Sequence, residues 1–322
     1  RLRAMQELKM KEAPCKVLPV DTAIEKLRAY TIKDNVPFGE HDWSALANEW
    51  DAEQLAEWGL DLPVDFNAET NEGLTDPDEV PEVPETPITV LGDVWVMGKH
   101  RVLCGSCTDP DQVSNLMGAV YPDLIHTDPP YGMSAVSKSG VLSKSYGTDI
   151  LGDDSPDVAK DAFTLIHSLY PDAKHIWWGA NYYSSILPDS ECWLVWDKDN
   201  GQSDQTDCEL AWANFRSVVR QFTMASEKTN RVHPTQKPVA LMEWIIKRFK
   251  LTSHTIADYF GGSGSTLIAA ERNGITGYIM ELDPRFVDVI VKRWQDFTGQ
   301  QAIHEASGKT FTELAEAQLT TV

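Results

Sequence analysis

Residues 254–281 read HTIADYFGGSGSTLIAAERNGITGYIME, and this stretch decides the fold class. The run 254–260 has the apolar composition of a buried strand. It leads into Gly261-Gly262-Ser263-Gly264-Ser265-Thr266. Residues 267–273 then read as a helix closed by Gly274, the residue type favoured just past a helix end. A second strand at 275–280 delivers Glu281 at its tip. Strand, glycine turn, helix and strand form the repeating unit of an α/β sheet. Glycines in the turn let a ligand approach the backbone, and an acid at the next strand tip can hold the two hydroxyls of a ribose.

A dinucleotide site competes for this pattern, and the spacing counts against it. Gly262 and Gly264 give G-x-G, but Leu267 stands where a third glycine is needed. The turn matches a pyrophosphate poorly and an adenosine without phosphates better. S-adenosylmethionine is such a ligand.

Upstream, the strand-like run 121–127 ends in Asp128-Pro129-Pro130-Tyr131. The Asp128 carboxylate and the Pro129 carbonyl can each accept a hydrogen bond, while the prolines fix φ and remove donors. Tyr131 offers a face for a planar ring. This platform suits the exocyclic amino group of a base taken out of its helix. The four residues alone are also compatible with a plain turn after a strand.

Further along, HPTQKP at 233–238 precedes a helical pattern in which Val239, Leu241, Met242, Ile245, Ile246 and Phe249 recur on one face. Pro238 suits the first turn of that helix, and Lys237 sits where backbone amides already favour an anion.

These three blocks, in this order, resemble the amino-group DNA methyltransferases that modify adenine N6 or cytosine N4. The order is that of the permuted group, with the DPPY motif ahead of the cofactor glycine motif. The resemblance spans roughly residues 88–306 and includes Trp178-Gly179-Ala180-Asn181-Tyr182-Tyr183 and Glu281-Leu282-Asp283-Pro284. It implies a Rossmann-like methyltransferase fold, with a mostly parallel doubly wound sheet. It also implies S-adenosylmethionine as cofactor and direct methyl transfer at Asp128, Pro129, Pro130 and Tyr131. Asp258, Phe260, Gly262, Gly264, Ser265, Thr266 and Glu281 would hold the cofactor, with Thr235 and Lys237 at its methionine end. Ser106 would lie near the adenine, where the family often has an acid. Asp197, Lys198 and Glu209 match positions of mainly architectural role. Aspartate in the tetrad leans towards adenine N6. The alternatives are cytosine N4, an RNA or protein amino group, and a non-catalytic DNA-binding module.

Composition adds a puzzle, because the 322 residues carry a net charge of −21. Nine acids and no Lys or Arg fall within 61–90, and this Pro-rich stretch reads as a solvated linker. Between 216 and 250 the balance reverses, with Arg216, Arg220, Lys228, Arg231, Lys237, Lys247, Arg248 and Lys250 against Glu227 and Glu243. That island serves either as a phosphate contact surface or as a solvated face. Lys138 and Lys144, in the Ser/Gly-rich segment 132–154, are further DNA-contact candidates. The partner expected is double-stranded DNA, with a homodimer as a second association and no membrane. Trp177, Trp178, Trp193, Trp196 and Trp212 read as core.

Five cysteines suggest free thiols in a reducing cytoplasm. Cys104 and Cys107 have no second close pair, so no metal site is expected. The only Pro-Cys pair, Pro14-Cys15, lies far from the cofactor motifs, which disfavours cytosine C5 chemistry. The expected organisation is a small α+β unit at 1–63, a linker at 64–87 and the methyltransferase domain at 88–322. The first unit resembles the C-terminal part of a ParB-like domain. Beginning at Arg1, the sequence reads as part of a longer chain.

Overall fold

A computed structural model describes residues 71–130, 155–199, 206–224, 237–249 and 255–320, with scattered positions before residue 61. The chain divides into two compact units, Arg1–Ala68 and Glu69–Val322. In the first, Leu55 and Leu60 are buried and Thr22 caps a turn by donating to the Pro19 carbonyl at 2.6 Å. Most of the small α+β unit expected at 1–63, and with it the ParB-like reading, lies outside the described residues.

Among the described residues, the second unit is built on a ten-stranded sheet. Its strands are β1 (Val94–Met97), β2 (His100–Cys104), β3 (Leu124–Thr127), β4 (Lys174–Trp178), β5 (Cys192–Asp197), β6 (Cys208–Ala213), β7 (Arg220–Thr223), β8 (Thr255–Asp258), β9 (Thr276–Glu281) and β10 (Ile303–His304). The spatial order is β10-β1-β2-β9-β8-β3-β4-β6-β5-β7. The five strands from β2 to β4 run parallel, and antiparallel pairings flank them. The architecture is α/β and Rossmann-like.

Helices α1 (Pro110–Met117) and α2 (Asp157–Leu169) share one face of the sheet, where Val113, Leu116, Phe163 and Ile166 meet Ile125, Trp177 and Ala257. The other face is covered by α3 (Val239–Arg248), α4 (Ser265–Arg272) and α5 (Pro284–Thr298). A last helix, α6 (Phe311–Leu319), opens on a capping box of Thr310 and Glu313. Adjacent Trp177 and Trp178 are both fully buried because alternate residues of β4 point into opposite layers. Their burial stabilises the fold at roughly 25 cal/mol per Å² of apolar surface removed from water. Trp196 and Trp212 are buried as expected, and Trp193 is half-buried.

Two readings need correction. Pro238 is the cap residue of α3 in extended backbone and not its first helical residue. The acidic stretch is not simply solvated, because its second half is bound to the domain. Leu74 donates its amide to the Phe297 carbonyl at 2.7 Å, and Arg293 donates to the Pro77 carbonyl at 2.6 Å. Buried Asp288 accepts the amides of Ile88 and Thr89 at 2.6 and 3.0 Å. Asp78 accepts the Val239 amide at 2.8 Å and so caps α3, which Pro238 cannot do for itself.

Candidate active site

The connection β8–α4–β9 lies on one face of the sheet and β3–α2–β4 on the other. Strand order therefore reverses between β3 and β8, and in open α/β sheets ligands bind in the crevice at such a point. Both sequence motifs emerge there. Thr127, the last residue of β3, donates its hydroxyl to Asp258 Oδ1 at 2.9 Å and accepts the Tyr259 amide at 3.2 Å. The Asp128-Pro129-Pro130 loop and the glycine turn thus leave adjacent, cross-linked strands.

The glycine turn is held from several sides. Gly261 donates its amide to the Met280 carbonyl and Gly264 donates to the Gly261 carbonyl, both at 2.8 Å. Gly262 and Gly264 have φ of +52° and +87°, and a Cβ on Gly264 would meet Ile290 at 3.2 Å. Asp258 is buried and accepts from Thr266 Oγ1 at 2.6 Å and the Phe260 amide at 3.1 Å, besides Thr127. Burial pushes its carboxyl up to about 7, against these donors. Glu281 accepts the Gly262 and Asp283 amides at 2.8 and 2.9 Å, and burial raises its carboxyl to about 7 as well. Arg293 braces the turn by donating to the Ser263 carbonyl at 2.9 Å and to Ser265 Oγ at 3.4 Å.

Asp258, Ser265 and Thr266 therefore build the turn from within. The first turn of α4, which no side chain caps among the described residues, lines its rim with the partly exposed Glu281 and half-buried Phe260. Ser106 follows β2, whose Cys104 pairs with Glu281, and its hydroxyl bonds Thr108 Oγ1 at 2.8 Å. Burial pushes the Cys104 and Cys107 thiols up to about 12.

On the β3 side the arrangement differs from expectation. The sequence pattern makes Lys237 an anion-facing residue of a basic island, yet it turns inward and is only 5% exposed. Its ammonium makes a short ion pair with Asp128 Oδ2, lies 2.9 Å from Glu209 Oε2 and sits 5.3 Å above the Trp178 ring. Glu209 also pairs with Lys198 at 2.5 Å. Burial would raise Glu209, but Lys237 and Lys198 outweigh it and hold the carboxyl down at about 2. Burial pushes Asp128 up to about 6, against the pull of Lys237. Beneath them, Trp178 Nε1 donates to His126 Nε2 at 2.8 Å, and burial holds His126 neutral with its pKa lowered to about 3.

Glu209 and His126 are members of this cluster that the sequence did not single out for a chemical role. Arg216 is exposed and Arg220 opens the edge strand β7, away from the crevice in strand order. Tyr131, Lys138, Lys144, Lys228, Arg231 and Thr235 lie outside the described residues.

A family model described as DNA methylase, of the N6/N4 methyltransferase type, matches residues 177–292. Among solved structures, M1.HpyAVI in complex with SAM is 20% identical, with a TM-score of 0.40, over 60% of this chain and 98% of that one. The DNA modification methylase TTHA0409 from Thermus thermophilus, complexed with S-adenosyl-L-methionine, is 16% identical with a TM-score of 0.41, over 62% and 96%. The PvuII cytosine-N4-specific DNA methyltransferase is 14% identical with a TM-score of 0.43, over 66% and 90%. No curated protein matches the chain.

Proposed function

We propose that this chain is an S-adenosylmethionine-dependent DNA methyltransferase acting on the exocyclic amino group of a flipped base, adenine N6 by preference. The observation that carries this reading is the Thr127–Asp258 link, which sets the acid-proline-proline loop beside the glycine turn at the switch point. The DNA methylase match over 177–292 supports it, as does the tetrad with aspartate in first place.

The cofactor fits the residues present. Gly262 and Gly264, both at positive φ, bring no side chain into the turn, α4 offers amides that no side chain caps among the described residues, and Glu281 stands at the neighbouring strand tip. Gly262, Gly264, Phe260 and Glu281 would hold the adenosine part, with Ser106 near the adenine and Thr235 towards the methionine end. Bound there, the cofactor would supply an electrophilic sulfonium methyl group facing the amino nitrogen of the base. The chain's own contribution is alignment and charge. Asp128 and the Pro129 carbonyl accept hydrogen bonds from the amino group, which raises lone-pair density on its nitrogen. Tyr131 stacks on the base. No covalent bond to the protein is needed.

Arg216, Arg220, Lys138, Lys144, Lys228 and Arg231 are the proposed contacts to DNA phosphates, with strongly salt-dependent affinity. Only about twenty residues separate Glu209 from His233, which leaves little room for a dedicated recognition domain and favours a short or degenerate target. Incubation with labelled cofactor and DNA, followed by digestion to nucleosides, tests the reading. N6-methyladenine is the expected product. N4-methylcytosine would move the assignment to the other base, and no labelled nucleoside would end it.

A further inference from the structure

The cluster behind Asp128 has more charge than an acceptor loop requires. Four ionic side chains from four segments form one chain, Lys198–Glu209–Lys237–Asp128. Lys198 follows β5, Glu209 lies in β6, Lys237 precedes α3 and Asp128 follows β3. The two inner groups are poorly exposed, so their charges are weakly screened and the pairing fixes geometry. At the end of the chain the carboxylate is asymmetric. Oδ2 is taken by the Lys237 ammonium, whereas buried Oδ1 has no hydrogen-bond partner among the described residues.

From this arrangement we infer that Lys237 and Glu209 are positioning residues for Asp128. The ammonium pins Oδ2, Glu209 anchors the ammonium, and Oδ1 is left as the acceptor presented to the amino group of the base. The inference rests on the proposed role of Asp128. It gives Lys237 a task on the base side of the crevice in place of the methionine-end contact that the resemblance implies. A buried carboxylate oxygen without a donor is costly, and an incoming amino group is a partner that relieves it. Trp178 supports the lysine from below through its ring face, and Tyr183, which donates to the Trp178 carbonyl at 2.7 Å, keeps that strand end in place.

The charges facing Asp128 make the idea testable by sign. Lys237 and Lys198 favour its ionised form and Glu209 opposes it. On neighbouring elements, Asp258 and Tyr183 are the other titratable groups among the described residues that feel its charge, and His126 beneath is neutral. Transfer needs the carboxylate ionised, so the acid limb of the rate profile reports on Asp128.

The experiment is single-turnover methylation of DNA across pH, with cofactor affinity measured by calorimetry on the same proteins. Lys237→Met is expected to slow transfer by roughly a hundredfold, the scale of losing one preorganised electrostatic contact, and to move the acid limb to higher pH. Its cofactor affinity should stay at the wild-type value. Glu209→Gln should move the acid limb the opposite way, to lower pH, and Lys237→Arg should return the limb to its wild-type position. Should Lys237→Met fail to fold, the other two variants carry the decision. Loss of cofactor affinity in step with rate, or limbs that move together or not at all, overturns the inference while leaving the methyltransferase reading intact. If wild-type protein transfers no methyl to DNA, that reading fails first.

Discussion

Thr127 and Asp258 join the two strands that carry the two halves of the crevice, through a 2.9 Å hydrogen bond buried from solvent. The threonine also accepts the Tyr259 amide, so one hydroxyl sets the spacing of β3 and β8 at their C-terminal ends. Thr127→Val keeps the shape and removes both bonds. Leaving those buried polar groups short of partners costs roughly 1–3 kcal/mol. We expect a lower unfolding midpoint in urea and a slower methyl transfer. Unchanged stability would mean that the strands are spaced by packing alone.

Gly264 begins α4 at a φ of +87°, with Ile290 side-chain atoms 3.2 and 3.3 Å from where a Cβ would be. A β-branched residue there meets both backbone strain and a steric clash. Gly264→Val is expected to weaken cofactor binding severely, measured by calorimetry, while circular dichroism still reports a folded sheet. Wild-type affinity in a folded variant would remove the glycine turn from the cofactor site.

Asp128→Ala removes the proposed acceptor and leaves the glycine turn untouched. Transfer should fall below detection with cofactor affinity nearly unchanged. Full activity in this variant ends the assignment of the tetrad.

The contrast between Gly264 and Lys237 shows what the sequence disclosed. The strand, turn, helix and strand at 254–281 were legible because periodicity, glycines and the helix stop all act within a few residues. Lys237 was not legible as an inward residue, because its partner Asp128 lies 109 positions away and the pairing exists only once β3, β6 and α3 have assembled. Glu209 was placed by resemblance alone, at a position of mainly architectural role, because a single acid in the strand CELAWA carries no local sign of its partners. Acid-rich, Pro-rich composition likewise concealed the role of Asp78. Its low hydrophobicity argues for solvation, yet a helix elsewhere lacked a cap and took this side chain.

Asp78→Ala deprives the Val239 amide of that cap. Loss of a capping side chain costs about 1 kcal/mol, and a chemical-denaturation curve should shift by that amount with its slope unchanged. Because Pro238 and Lys237 directly precede α3, a measurable fall in transfer rate should accompany the shift. A variant as stable as wild type would show that water satisfies the amide equally well.

Asp258 makes stability depend on pH in a direction that can be stated in advance. Burial raises its carboxyl from 3.8 to about 7, against hydrogen bonds from Thr266, Phe260 and Thr127, and the nearby Asp128 adds to the rise. The folded domain thus binds this proton more tightly than the unfolded chain does. The resulting stabilisation is complete below the unfolded value and is lost as pH rises through about 7. Asp258→Asn cannot titrate, and its carboxamide can still accept from Thr127 while its amino end faces Thr266. Glu281 is raised in the same direction, so the informative quantity is the difference between variant and wild type. Urea unfolding between pH of about 5 and 8 should show the variant gaining on wild type as pH increases. A difference that stays constant would mean that Asp258 is ionised throughout, with the three donors outweighing its burial.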